Sequence, residues 1–370
     1  DAPSGTKGIS LFVVPKFLLD DDGTPGARNT VEVVSIEHKL GIHASPTCVL
    51  SFEDATGYLI GEENQGMRYM FTMMNQARLE VGLEGLSVAE RAYQHAAAYA
   101  KDRKQGRALG ASDVSPIVEH PDVRRMLMTM KAYTEAMRAL VYDAVAADDR
   151  MHSAATKEER DAARDRLALL TPITKSWCTD HGVELASIGV QVFGGMGFIE
   201  ESGAAQFYRD ARITPIYEGT NGIQALDLVM RKLPMGGGAV ISSYLDEIQT
   251  IADTAGDAGL SDISASLGAA VSTLRQTTAY LLDASPADAM SGATPYQEML
   301  GTLAGGYYLT RQALAAHTKS GSDPWLAAKV STARFYAASI LPRVHGLAGA
   351  ATVGADLVYG VEVSDLGSGS

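Results

Sequence analysis

Glu218 stands where an apolar run meets a turn, in residues 209–224 (RDARITPIYEGTNGIQ). Ile213, Pro215, Ile216 and Tyr217 lead into it, and apolar neighbours favour the neutral form of a carboxyl, so this group can hold or take a proton near neutral pH. That is the chemistry of a general base. Gly219, Thr220, Asn221 and Gly222 follow. Glycines let backbone approach a ligand closely, and a hydroxyl and an amide at the start of a helix can meet phosphate or carbonyl oxygens. Read from the residues alone, the same stretch also fits a surface turn before an N-capped helix.

Other groups able to meet an anion lie elsewhere in the chain. Arg78, in NQARLEVG, is a guanidinium in apolar company and must find an anion or an internal carboxylate. Residues 102–107 (DRKQGR) read as a charged helix C-terminus. GGMG at 194–197 reads as a helix cap with a turn; it is not a G-x-G-x-x-G fingerprint and follows no strand, which excludes a Rossmann site. The Met-rich stripe of residues 67–81 is expected to be core. His181 and Glu184 share a helix face without the spacing of a metal site, so no metal is expected.

Three of these stretches, in this order and at similar spacing, resemble the acyl-CoA dehydrogenase family: GLSVAERAYQHAAAYAKDRKQGR (85–107), QVFGGMGF (191–198), and the Tyr-Glu-Gly-Thr turn followed by a helix (217–220). The resemblance implies FAD as cofactor and α,β-desaturation of an acyl-CoA thioester, with Glu218 removing the α-proton. It implies that Arg103 and Gln105 reach the flavin pyrophosphate across a dimer interface, that Gln191, Gly194 and Gly195 contact the adenosine-diphosphate end, and that Thr220 belongs with the cofactor. Asn75, Arg78, Tyr217 and Gly219 are placed with the acyl-CoA substrate. Two positions depart from the family pattern: Gln105 replaces a frequent hydroxyl residue, and Gln206 stands where a basic residue is usual. Electrons would pass to an electron-transfer flavoprotein; the alternatives are an acyl-CoA oxidase using oxygen, or a catalytically silent flavin- or CoA-binding scaffold. Residues 39–67 together with YEGTNGIQALDL and the C-terminal extension look most like the branch acting on 3-(methylthio)propanoyl-CoA.

The elements that must position these groups follow from patterning. With 370 residues, of which 46% are hydrophobic, the chain can bury a sizeable core. A net charge of −13 argues against a nucleic-acid partner. Cys48 and Cys178 are isolated, so a disulfide framework is not suggested and a reducing, cytoplasmic setting is the expectation. The run of apolar residues needed for a membrane span is absent from the sequence.

Residues 8–14, 30–36 and 47–52 read as strands. From 67 the period changes to that of a long helix reaching about 101; a second helix starts at His120-Pro121-Asp122, and a third runs to 192. PMGGGAV (234–240) reads as a linker, with further helical periods at 241–251, 263–282, 295–317 and 325–347. The expected class is α+β and mainly α: part of a central β-domain (1–65), a four-helix-bundle domain (66–233), and an additional helical domain (234–370) suited to oligomerisation or site covering. By the resemblance, the first half of the β-domain and a preceding helical domain have no counterpart in these residues. A missing N-terminal half, whether cleaved or a separate polypeptide, is therefore also expected, as is a homo-oligomer.

Overall fold

Short β-branched and aromatic runs between Gly, Pro and Asp clusters make short two-stranded ladders. The computed structural model describes residues 2–319 and 323–367. Its contacts divide the chain into two compact units, Asp1–Ala77 and Arg78–Ser370, with the division inside the helix α1 (Gly66–Asp102).

In the first unit β1 (Leu11–Val13) pairs with β6 (Tyr58–Ile60), β2 (Phe17–Leu19) with β3 (Pro25–Arg28), and β4 (Val31–Ile36) with β5 (Cys48–Phe52), each pair antiparallel. The buried amide of Asn29 ties the loops together, donating to Pro15 O and Thr56 O at 2.9 Å and accepting from the Thr56 N–H at 3.0 Å. Two-stranded ladders are marginal alone, and Phe12, Val33, Ile36, Leu50 and Phe52 are exposed. Strands β2, β3 and β6 were not expected from the sequence: β2 is only Phe-Leu-Leu before an acidic turn, and β3 opens on Pro25-Gly26, which read as turn.

The second unit is helical. Pro121 at the first position and Asp122 in the first turn start α2 (Pro121–Ser153). A capping box, in which Thr156 and Glu159 bond each other's backbone, starts α3 (Lys157–Phe193). After α3 come α4 (Ala204–Ala211), α5 (Asn221–Asp227) and a π-helical turn over Leu228–Lys232. The glycines of Met235–Gly238 then redirect the chain into α6 (Ala239–Asp257), α7 (Ser261–Asp283), α8 (Pro286–Ser291), α9 (Ala293–His317), α10 (Pro324–Ser339) and α11 (Arg343–Ala351). The single period expected over 325–347 is broken between α10 and α11, where Pro342 cannot continue a helix.

Helix α9 is the axis of this unit. It packs against α2, α3, α5, α6, α7, α10 and α11, and Tyr296, Met299, Leu300, Leu303, Ala304 and Tyr307 on it are all buried. It can come close to α3 because Gly301 and Gly305 face Trp177: a Cβ at Gly301 would lie 2.4 Å from the indole. A polar clamp adds to this packing. Arg166 on α3 bonds Asp143 on α2 and Glu247 on α6, each at 2.6 Å, and Tyr308 on α9 donates to Asp143 at 2.6 Å. Among the described residues no helix is long and apolar enough to cross a membrane, and no group of His, Cys, Asp and Glu could hold a metal ion.

Candidate active site

The segment between α4 and α5 carries Glu218 on a tight turn. Backbone bonds from Ile216 N to Ile213 O (2.8 Å) and from Asn221 N to Pro215 O (3.0 Å) close it. Inside it Glu218 and Gly219 are both left-handed, with φ of 55° and 85°. A side-chain-bearing residue in that region is strained by about 1 kcal/mol or more and persists only where its surroundings hold it. Such outliers cluster at functional sites.

Gly219 could not be replaced cheaply, because its φ of 85° strains any side chain; a Cβ there would lie 2.9 Å from the Gln224 Nε2 and 3.6 Å from a guanidinium nitrogen of Arg78. The same geometry puts the Arg78 head beside the turn. Gln224 donates to Gly219 O at 3.3 Å, and the Thr220 hydroxyl accepts from the Ile223 N–H at 3.3 Å as the N-cap of α5. The hydroxyl of Tyr217 donates to the Glu84 carboxylate on α1, and burial, followed by that carboxylate, pushes the phenol well above its ordinary range. The Glu218 side chain is half-buried.

Beneath the turn the structure differs from the sequence reading. The amide of Asn221, expected to be available to a ligand oxygen, is buried and turned inward: Oδ1 accepts from Lys175 Nζ at 2.8 Å, while Nδ2 donates to the Thr179 hydroxyl at 2.9 Å and to Ser176 O at 3.2 Å. Lys175 was not singled out from the sequence. Its signal was a lysine within TPITKSWC, where a cation in apolar company needs a partner.

Arg103, Gln105, Gly194 and Gly195 lie around one open cavity of about 410 Å³, walled also by Tyr99, Ile117 and Phe193. The segment carrying Arg103 and Gln105 is held by bonds from Ile117 N to Arg103 O (2.8 Å) and Gln105 N to Ser115 O (3.1 Å), and the His120 ring bonds Gln105 O at 2.7 Å. Tyr99 and Phe193 stack at 4.1 Å, giving the cavity a flat aromatic wall. Gly194 caps α3 with φ 61° and ψ −140°, and a Cβ on it or on Gly195 would meet open space. Backbone here is accessible to a bulky anion beside a guanidinium. Gln191 is exposed in the last turn of α3 and is not on the cavity wall. Thr220 belongs to the Glu218 turn and does not line this cavity. Asn75 belongs to the first unit, exposed on its stretch of α1.

Residues 64–233, which contain both groupings, match the family model for the acyl-CoA dehydrogenase C-terminal domain, and residues 244–362 match one described as acetyl-CoA dehydrogenase C-terminal like. The chain belongs to the acyl-CoA dehydrogenase family. It is 46% identical over 353 residues to the 3-methylmercaptopropionyl-CoA dehydrogenase of Ruegeria pomeroyi, covering 92% of this chain and 60% of that protein. It is 36% identical over 373 residues to the broad-specificity linear acyl-CoA dehydrogenase FadE5 of Mycobacterium tuberculosis, again 92% and 60%. The chain thus spans about 60% of the length of these curated relatives. The fold is that of Caenorhabditis elegans ACDH-11, solved with C11-CoA (TM-score 0.74, 22% identity, 91% of this chain and 54% of that one). It is also that of an acyl-CoA dehydrogenase from Bacillus anthracis, solved with FAD (TM-score 0.66, 23% identity, 89% and 58%).

Proposed function

We propose that this member of the acyl-CoA dehydrogenase family supplies the base and part of the cofactor site for FAD-dependent α,β-dehydrogenation of an acyl-CoA thioester. The observation that carries the proposal is the left-handed Glu218–Gly219 turn at the family's Tyr-Glu-Gly-Thr motif, which holds a half-buried glutamate on a turn that the Arg78 guanidinium approaches at Gly219.

Glu218 takes the proton α to the thioester carbonyl and its N–H donates to the thioester oxygen, where a hydrogen bond to developing enolate charge lowers the barrier. Arg78 and Tyr217 line the approach to the turn, with Asn75 as a further acyl-CoA contact. The cavity of Arg103, Gln105, Gly194 and Gly195 suits a dinucleotide diphosphate: a guanidinium offers paired charge-assisted bonds, open glycine backbone admits the phosphates, and Tyr99 and Phe193 present an aromatic face. Gln191 and Thr220 complete the contacts assigned to the cofactor. Bound FAD would accept the hydride leaving the β-carbon.

The 3-methylmercaptopropionyl-CoA thioester, after which the Ruegeria relative is named, is the first substrate to assay. An electron-transfer flavoprotein as acceptor, a homodimer that completes the cofactor site, and a cytoplasmic location belong to the same proposal. So does a modular order of β-segment (1–65), bundle (66–233) and helical extension (234–370). The test is an absorbance scan of the natively expressed protein. A flavin spectrum that bleaches on acyl-CoA addition, and recovers slowly in air but quickly with the acceptor flavoprotein, supports the reading. A protein that carries flavin and is not bleached by any acyl-CoA would reduce it to a binding scaffold.

A further inference from the structure

Lys175 lies in the middle of α3 with no solvent exposure. Lysine ammonium groups are seldom buried, because leaving water costs more than packing returns. Here the ammonium belongs to a bonded unit. Lys175 Nζ donates to Asn221 Oδ1 at 2.8 Å, Asn221 Nδ2 donates to the Thr179 hydroxyl at 2.9 Å, and that hydroxyl donates back to Lys175 O at 2.8 Å. Asn221 opens α5, and its own N–H closes the Glu218 turn onto Pro215 O at 3.0 Å.

Helix α1 seals the neighbourhood: a Cβ at Gly82 would lie 2.7 Å from the carbonyl oxygen of Thr174, the residue before Lys175. The charges acting on the ammonium are Asp180 on its own helix, Arg78 on α1 and Glu218 on the turn, while Glu298 on α9 and His181 act on Asp180. Burial brings the amine down to about 8, with Arg78 adding to that effect and Asp180 and Glu218 opposing it. A leucine or methionine could fill such a site without desolvating a charge.

We infer that Lys175 is a positioning residue for Glu218: it holds the side chain of Asn221, whose own N–H closes the left-handed turn that carries the carboxylate. The catalytic meaning of this coupling rests on Glu218 being the base; the coupling itself does not. No proton moves to or from Lys175 in the reaction. The α-proton of the thioester goes to Glu218.

The test uses the natively expressed, flavin-loaded protein and single-turnover flavin reduction by acyl-CoA. In Lys175→Met and in Asn221→Leu the reduction rate should fall by at least ~10-fold while flavin content and the acyl-CoA Kd persist, the mark of a misplaced group rather than a lost binding contact. The double variant should be no slower than the slower single one, because both substitutions break one bonded unit. A wild-type rate in Lys175→Met, or losses that multiply in the double variant, overturns the inference. If Lys175→Met does not fold, the Asn221 variants decide: Asn221→Asp, which keeps an oxygen for the lysine, should reduce flavin faster than Asn221→Leu, and equal rates overturn the inference. Near-normal flavin reduction by Glu218→Gln would remove the base reading while the comparison of Asn221→Asp with Asn221→Leu still decided whether Lys175 acts through Asn221.

Discussion

His181 Nε2 lies 3.1 Å from Glu298 Oε1, so one imidazole ring joins α3, within the segment matched by the first family model, to α9, within the segment matched by the second. Its other nitrogen is 2.8 Å from Glu184, and the ring packs on Tyr133 at 4.2 Å. Arg343 on α11 donates to the Tyr133 hydroxyl at 2.8 Å and pairs with Glu184 at 3.5 Å. Burial works against a charge on His181, but Glu298 and Glu184 outweigh it and raise the ring to about 9. The hydrogen bond from His181, against the effect of burial, lowers Glu184 to about 2.

A stability window follows from these directions. A histidine raised from 6.5 to about 9 contributes stability that is complete below pH 6.5 and is lost as pH rises to about 9. The contribution is on the order of 3 kcal/mol and is shared with Glu184, so it is counted once. Lys175, lowered from 10.5 to about 8, acts oppositely: the unfolded chain binds its proton more readily, so this contribution to stability grows between pH 8 and 10.5. The difference between wild type and His181→Gln therefore isolates the histidine. In urea melts that difference should be roughly 2–3 kcal/mol at pH 6 and should shrink towards pH 9. Equal differences at both pH values would mean that the ring is held neutral.

Replacing Gly301 by alanine should destabilise the second unit. The added methyl would sit 2.4 Å from the Trp177 indole, which is itself fully buried and cannot swing away. Overpacking of this kind costs about 1–3 kcal/mol. Tryptophan fluorescence and the urea midpoint should shift together; an unchanged midpoint would show that α9 can slide along α3.

Arg103→Ala should release FAD more readily, and more so in salt, because a charge-assisted contact to a diphosphate is lost. The holo fraction after dialysis at low and high salt measures this. Equal retention in both would leave Arg103 as a cation at the end of α1 and no more.

Much of the helical frame is legible in the residues because its ends carry strong local chemistry. Pro121 and Asp122 start α2, Thr156 and Glu159 box the start of α3, and Gly194 stops it in a conformation that favours glycine. Strands β2, β3 and β6 escape notice because their runs are short and β3 opens on a Pro-Gly pair that reads as turn. The central role of α9 is also hidden. Its Ala, Gly, Thr and Tyr positions show helical period but not burial on every side, which depends on the helices packed around it.

At the site, Glu218 and its glycine turn stand out by residue type, whereas the inward rotation of Asn221 does not. An asparagine after a threonine cap reads as available to a ligand; only the arrival of Lys175 from a distant part of the chain turns it inside. The one local sign of this pair is a cation in apolar company at Lys175, and that sign does not name its partner.

The central claim is that Glu218 removes the α-proton, and single-turnover flavin reduction by acyl-CoA in Glu218→Gln tests it most directly. The amide is nearly isosteric with the acid, so flavin content and acyl-CoA binding should persist while the reduction rate falls by at least ~10²-fold. A Glu218→Gln protein that bleaches at close to the wild-type rate would contradict the account.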